Sequence, residues 1–317
     1  GTLALADPTK SGSIAKCFEM MIQTEMLARA KENPSDPDAW AEGWLDGFAL
    51  VQGVAANARS VTDSAGKIVR DISSGEAAAG ICIDFYGFSE ASWNRRMSGR
   101  PRLVYVMPEN GTATTSDPVQ LLRGAPHAEV AKAFIDFLLS EDGARILLQK
   151  PGTQGGPERH ALLRASVRND MLRKIPKERL SLPDYDPYRL AGAFEYRGEW
   201  TGRWFRLIRV LVKCVALDPL DDLRAAQKRI VEAKRRGDDA EASRLEAMVY
   251  GPESMPMRCP GIDAEAAREA SFLSGSPAES AAARRRWTEI AMKAFRRAAH
   301  SAGNRRTAHG SGEGGAQ

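Results

Sequence analysis

Hydrophobic and polar positions along this chain alternate with periods that predict a few short strands among many helices. Leu3 and Leu5, flanked by Ala4 and Ala6, form an apolar run of strand length that Asp7-Pro8 ends. Ser11-Gly12-Ser13 then opens a helical pattern with Ile14, Phe18, Met21, Ile22 and Met26 on one face. A second helix follows Asp38 and carries Trp40 and Trp44 one turn apart, with Leu45 and Phe48, and a third is predicted over residues 64–73. Residues 77–87, rich in Ala and Ile, read as a second buried strand with Asp84 and Tyr86 at its carboxyl end. Residues 102–107 read as another strand, closed by a Pro-Glu-Asn-Gly turn.

Beyond that turn the pattern is helical. Residues 129–148 form one amphipathic stretch with Val130, Phe134, Phe137, Leu138 and Ile146. Gly152, Gly155 and Gly156 mark a connector that lacks the late lysine of a phosphate-binding loop, and residues 176–196 read as extended. Helices are predicted over residues 200–215, 219–234, 239–250 and 281–300, and the Gly/Ser-rich residues 303–317 read as a disordered tail.

Composition narrows the picture. Of 317 residues, 43% are hydrophobic and 27% charged, the balance of an ordinary globular chain, and no run is long and apolar enough to span a membrane. Residues 1–150 carry 15 basic against 19 acidic side chains, and the rest of the chain 30 against 22. The basic excess therefore lies in the repetitive helical part, away from the opening turn, and nucleic acid is not an expected partner. Cys17, Cys82, Cys214 and Cys259 have no zinc-like spacing; Cys17 and Cys82 read as small buried hydrophobes, and Cys214 with Cys259 form a pair only if the compartment is oxidising. The four histidines, His127, His160, His300 and His309, fall in loops or the tail, no nucleophile motif is present, and the paired carboxylates Asp221-Asp222 and Asp238-Asp239 sit where helices start or break. No catalysis is expected.

Two turns hold the candidate chemistry. Ser11, Gly12 and Ser13 precede a helix whose free N–H groups and positive dipole end suit an anion, although simple capping also explains the serines. Asp84 and Tyr86 sit at the end of the second predicted strand, where a helix cap and a packing aromatic are the plainer explanations. In open α/β sheets ligands bind beyond the carboxyl ends of strands, so two parallel neighbours would bring both turns to one crevice.

The ordered segments Leu5-Ala-Asp-Pro-Thr-Lys-Ser-Gly-Ser13, Ser74-Gly-Glu-Ala-Ala-Ala-Gly-Ile-Cys-Ile-Asp-Phe-Tyr86, Met107-Pro-Glu-Asn-Gly-Thr112 and Ala131-Lys-Ala-Phe-Ile-Asp-Phe-Leu-Leu-Ser-Glu-Asp-Gly143 resemble the extracellular solute-binding proteins of ABC transporters. The resemblance is to the branch of iron(III) and phosphonate binders and covers residues 1–215. It implies an α/β, two-lobed periplasmic-binding-protein-like architecture, N-terminally truncated because the first half of lobe one would lie upstream, with a sheet edge left unpaired and a helical C-terminal extension. Residues 1–100 would be the second lobe, 101–215 the crossover and return to an incomplete first lobe, 216–302 the helical region and 303–317 the tail. The implied function is capture of a small anionic solute, or of ferric iron with an anion, in an interlobe cleft. Delivery to an ABC transporter permease would follow, in the periplasm or outside the cell. By position, Ser11, Gly12 and Ser13 match the anion-binding turn, and Asp84 and Tyr86 match the strand end where iron-binding members place adjacent tyrosines. Phe85 occupies the first of those positions, which leaves Tyr86 as the candidate iron(III) ligand; iron would be cargo, and no cofactor is expected. The alternative reading is a basic helical interaction module in which the C-terminal helices bind an acidic protein or nucleic-acid partner.

Overall fold

Leu3–Ala6 forms strand β1, and it is the middle of the sheet on which the N-terminal part of the chain is built. The computed structural model describes residues 1–31, 33, 35–108, 111–115, 117–191 and 194–301, so the tail expected over residues 303–317 and part of the turn at 108–111 lie outside the described residues. The chain divides into two compact units. One comprises Gly1–Gly47 and Asn57–Val210, the other Phe48–Ala56 and Leu211–Gln317.

In the first unit β1 leads to helix α1, Gly12–Arg29, and then to α2, Pro37–Ala56, whose last turns belong to the second unit. Strand β2, Ala58–Thr62, helix α3, Ala65–Ser73, and the two-residue strand β3, Ala79–Gly80, follow. The sheet order is β2-β1-β3 and both pairings are parallel, which gives this unit α/β character. Ala4, Leu5 and Ala6 are fully buried, as are Ile14, Phe18, Ile22 and Met26 of α1 and Ile68 of α3. On α1 the buried face includes Met20, Glu19 and Gln23, while Met21 is half-buried. Gly43 and Gly47 let α2 lie against α1, since a Cβ at either would collide with the backbone of Met26 or Ile22. Trp40 stacks on Trp200, ring centroids 5.7 Å apart, and Trp44 is fully buried.

Three sequence expectations need correction here. The predicted strand over residues 77–87 pairs only at Ala79–Gly80, and Asp84 begins helix α4, Asp84–Ser98. Its carboxylate takes the Phe85 N–H, at 2.7 Å, and an acidic group in the first turn suits the positive end of the helix, so the chain coils once it leaves the sheet. Asp84 and Tyr86 are therefore first-turn residues of a helix beyond a short strand. Residues 102–107 form no strand, because no neighbour among the described residues pairs with them. The single helix expected over 129–148 is two, α5, Ala128–Leu139, and α6, Glu141–Leu148, split where the Ser140 hydroxyl accepts the Gly143 N–H at 3.1 Å.

The rest of the first unit holds three short helices, α7, Met171–Lys174, α8, Pro187–Ala191, and α9, Gly198–Thr201, and most of α10, Phe205–Val212. Among the described residues of the second unit every regular element is helical. A π-helical turn, Lys213–Leu217, precedes α11, Leu220–Arg235, α12, Asp239–Tyr250, α13, Ala264–Ser271, and α14, Pro277–Ala299. Gln52 is fully buried and donates to the Val215 carbonyl at 3.2 Å. Trp287 and Phe295 fill the centre, and the Trp287 indole N–H donates to Glu269 at 2.7 Å. Three arginines of α14 are paired within this unit, Arg286 with Glu269, Arg296 with Asp222 and Arg297 with Glu253. Cys214 and Cys259 are both buried and form no disulfide with one another. Burial pushes the Cys214 thiol up to about 11, against the opposing pull of a hydrogen bond with Thr288.

Candidate functional site

The turn after β1 is held by its own hydrogen bonds and by α10. Asp7 continues the ladder by donating its N–H to Thr62 O at 2.8 Å, and its carboxylate turns back to accept the Thr9 N–H and hydroxyl at 2.8 and 2.6 Å. Arg209 of α10 donates through Nε to Pro8 O and through Nη2 to Thr9 O, both at 2.8 Å. The guanidinium thus clamps two successive carbonyls from behind. At the front, Ser11 caps α1 weakly, its hydroxyl 3.4 Å from the Ile14 N–H and 3.1 Å from the Ser13 hydroxyl. The N–H groups of Gly12 and Ser13 have no partner among the described residues, and a Cβ on Gly12 would meet nothing within 4 Å. Two unengaged donors and two hydroxyls therefore lie at the positive end of an 18-residue helix, with open space beside Gly12, beyond the carboxyl end of the central strand.

A buried polar network fixes α1 in this orientation. Glu19 is fully buried and accepts from Lys16 Nζ at 2.6 Å, the Tyr196 hydroxyl at 2.8 Å and the Thr201 hydroxyl at 2.6 Å. Gln23, also fully buried, donates to Thr201 Oγ1 and Arg197 O and accepts the Arg197 N–H. Burial works against the Lys16 charge, but its hydrogen bonds to Glu19 and Tyr196 outweigh that and raise its pKa above the ordinary lysine value.

Around the first turn of α4 the side chains are packed more than they are presented. The Tyr185 hydroxyl donates to Asp84 Oδ2 at 2.8 Å, so both Asp84 oxygens are engaged, the other by the Phe85 N–H. Burial, and then the Asp84 charge, push the Tyr185 phenol above its ordinary range, which keeps it a neutral donor. Tyr105 lies across Gly87, where any Cβ would strike its ring, and Phe88 meets Tyr105 and Tyr185 edge-on at 4.8 and 4.9 Å. Tyr86 is half-buried beside Phe85, 4.3 Å between centroids, and its hydroxyl has no hydrogen-bond partner among the described residues. Arg164 sits over the Phe85 ring at 3.8 Å.

A cysteine lies close in sequence to each of the two turns. Cys17 lies one helical turn beyond Ser13, on the same face of α1. Burial pushes the Cys17 and Cys82 thiols up to about 11, and the nearness of Cys82 adds to the shift at Cys17. Both are half-buried, not the fully buried small residues that the sequence suggested. Ser11, Gly12 and Ser13 thus form one contiguous feature, and β3 carries Asp84 and Tyr86 to the neighbouring strand end. No hydrogen bond among the described residues joins the serines to Asp84 or Tyr86. Among the described residues no three His, Cys, Asp or Glu side chains come together as a metal-ligand set.

Arg209, Thr9 and Tyr185 were not legible as site residues. Arg209 reaches its carbonyls across about 200 positions and Tyr185 reaches Asp84 across 101, and no local pattern announces either.

Residues 1–152 match the family model described as bacterial extracellular solute-binding protein. Two curated relatives are the phosphoglycerate transport regulatory proteins PgtC of Salmonella typhimurium and of Salmonella typhi. Each is 26% identical over 148 residues, covering 46% of this chain and 31% of the relative. The match therefore spans about a third of the length of those relatives. No solved structure matches the chain. No helix among the described residues is long and apolar enough to cross a membrane.

Proposed function

We propose that this chain is the solute-binding component of an ABC importer, working in the periplasm or outside the cell, and that it grips a small anionic solute at the start of α1. The observation that carries the reading is the pair of unengaged N–H groups at Gly12 and Ser13, with open space beside Gly12, inside the stretch that matches the solute-binding family. Ser11 and Ser13 would add hydroxyl donors, and Tyr86 a phenol from the adjacent strand end. Arg209 would hold the turn in shape and leave the anion to the helix. No bond is made or broken in this role; binding, and handing the solute to a permease, are the function.

Ferric iron is the weaker cargo. Phe85 offers no ligand, and both Asp84 oxygens already accept a hydrogen bond, one from Tyr185 and one from the Phe85 N–H, which makes that carboxylate a poorer metal ligand. The name of the Salmonella relatives makes phosphoglycerate the first solute to test. Calorimetric titration of the chain with 3-phosphoglycerate, inorganic phosphate and ferric citrate separates the cases. We expect binding of the phosphorylated acid, weakened about tenfold or more by S13D, which sets a carboxylate against the anion, and a few-fold by Y86F. Equal affinity in the parent chain and both variants would remove the site, and binding of ferric citrate alone would replace the anion reading with iron.

A further inference from the structure

The last turn of α4 carries an exposed apolar pair set among cations. Trp93 and Met97, one helical turn apart, are 53% and 69% exposed, and Trp93 is the most exposed of the chain's six tryptophans. The helix is seated beside them by Asn94, which is buried and donates to the Ser73 hydroxyl of α3 at 3.1 Å. Gly99, at φ 70°, ends α4, and Arg100 and Arg102 follow outside it. Arg95, Arg96, Arg100 and Arg102 are all exposed, and none of the four is in an ion pair among the described residues. Arg96 lies over the Trp93 ring, 5.5 Å from its centroid. No acidic residue occurs from Ala91 to Met107, although residues 1–150 carry more acidic than basic side chains. Other exposed arginines of the same unit are neutralised, Arg29 by Asp46, Arg59 by Glu76 and Arg164 by Asp117. The negative end of α4 accounts for Arg95 and Arg96. It accounts neither for the two arginines past Gly99 nor for an indole and a thioether left in water.

We propose that this end of α4 binds the surface of an anionic lipid bilayer, with Trp93 and Met97 entering the headgroup region and the four arginines lying on lipid phosphates. The charge and the size of the face select that occupant. Four unpaired guanidinium groups within eight residues match a surface of many negative charges. Two apolar side chains at the end of one helix fall far short of the roughly 800 Å² per partner that a stable protein interface covers. A bilayer requires no matching shape: an aromatic ring settles at the headgroup level, and each arginine near an anionic leaflet strengthens binding about fivefold. With no carboxylate holding them, the guanidinium groups are free to follow mobile phosphates, and their methylene stems lie along the same apolar region as the indole.

Co-sedimentation of the whole chain with vesicles tests this, using phosphatidylcholine alone or mixed with about one third phosphatidylglycerol. The chain should partition onto the mixed vesicles and at least tenfold less onto phosphatidylcholine, and raising salt from about 0.05 to about 0.5 M should release it. R100E/R102E should lower the partition coefficient at least tenfold. R285E/K293E makes the same change of net charge at exposed residues of α14 that are likewise in no ion pair among the described residues, and should leave the coefficient within about twofold. All four positions are exposed, so circular dichroism should be unchanged in either variant. Vesicles with brominated acyl chains should quench part of the tryptophan emission of the parent, and that part should be missing in W93F. Failure to partition onto the mixed vesicles, or equal partition onto phosphatidylcholine, overturns the proposal and leaves the face to an acidic protein. Equal losses in the two charge-reversed variants overturn α4 as the binding face, and quenching undiminished in W93F overturns the insertion and with it the bilayer as occupant.

Discussion

Helix α14 buries Ala283, Trp287, Ala291, Ala294, Phe295 and Ala298, whereas α5, with Val130, Phe134 and Phe137 at comparable helical spacing, buries no residue at all. Both stretches are amphipathic in the sequence and both are helices. Periodicity states that a helix has an apolar face; it is silent on whether anything covers that face. In the helical unit the covering surfaces are α11, α12 and the turns before α14, close by in the sequence. In the α/β unit the faces of α5 and of residues 102–107 find no such neighbour among the described residues, and Phe134, Val130 and Val104 are exposed.

The largest effect should come from emptying the covered face. W287A removes a side chain that is 1% exposed and leaves a cavity, with Glu269 keeping only Arg286 as a partner, so the helical unit should lose about 3–5 kcal/mol in urea unfolding followed by far-UV circular dichroism. A loss under about 1 kcal/mol would mean that the face is not covered in solution. A smaller effect should follow from E269A, which keeps the indole but strands its buried N–H and frees Arg286. About 1–3 kcal/mol is expected, measured in the same way. Smaller again is S276A. The Ser276 hydroxyl accepts the Glu279 N–H, and Glu279 reaches back to the Ser276 N–H at 2.8 Å, a reciprocal cap whose loss should cost about 1 kcal/mol and leave the packed face intact.

The same contrast explains what could be read in advance. β1 and the cap of α1 were legible because an apolar run, Asp-Pro and Ser-Gly-Ser are local signals. β2 was not, since Ala-Arg-Ser-Val-Thr has mixed polarity and becomes a strand by lying in parallel register beside Ala4, Leu5 and Ala6. The run at 77–87 carried the composition of a strand, yet only the two residues that reach β1 became one, and Asp84 turned the remainder into a helix. Of the site, the open donors at Gly12 and Ser13 follow from sequence. The engagement of Asp84 by Tyr185 and the Arg209 clamp depend on tertiary contacts that no spacing encodes.

The smallest effect on stability, and the one that tests the comparison most directly, belongs to α5. Val130 is 70% exposed and Phe134 55%, so V130S/F134S removes little that folding buries, and unfolding of the α/β unit should shift by no more than about 0.5 kcal/mol. The same double substitution takes apolar area from an exposed face, so fluorescence of an environment-sensitive apolar dye added to the chain should fall. W287A should give the reverse in the native state, a large loss of stability with no loss of dye signal, because its indole is not part of the surface. If V130S/F134S instead lowered stability by about 2 kcal/mol or more, the face of α5 would be covered in solution as the face of α14 is, and the difference between the two helices would vanish.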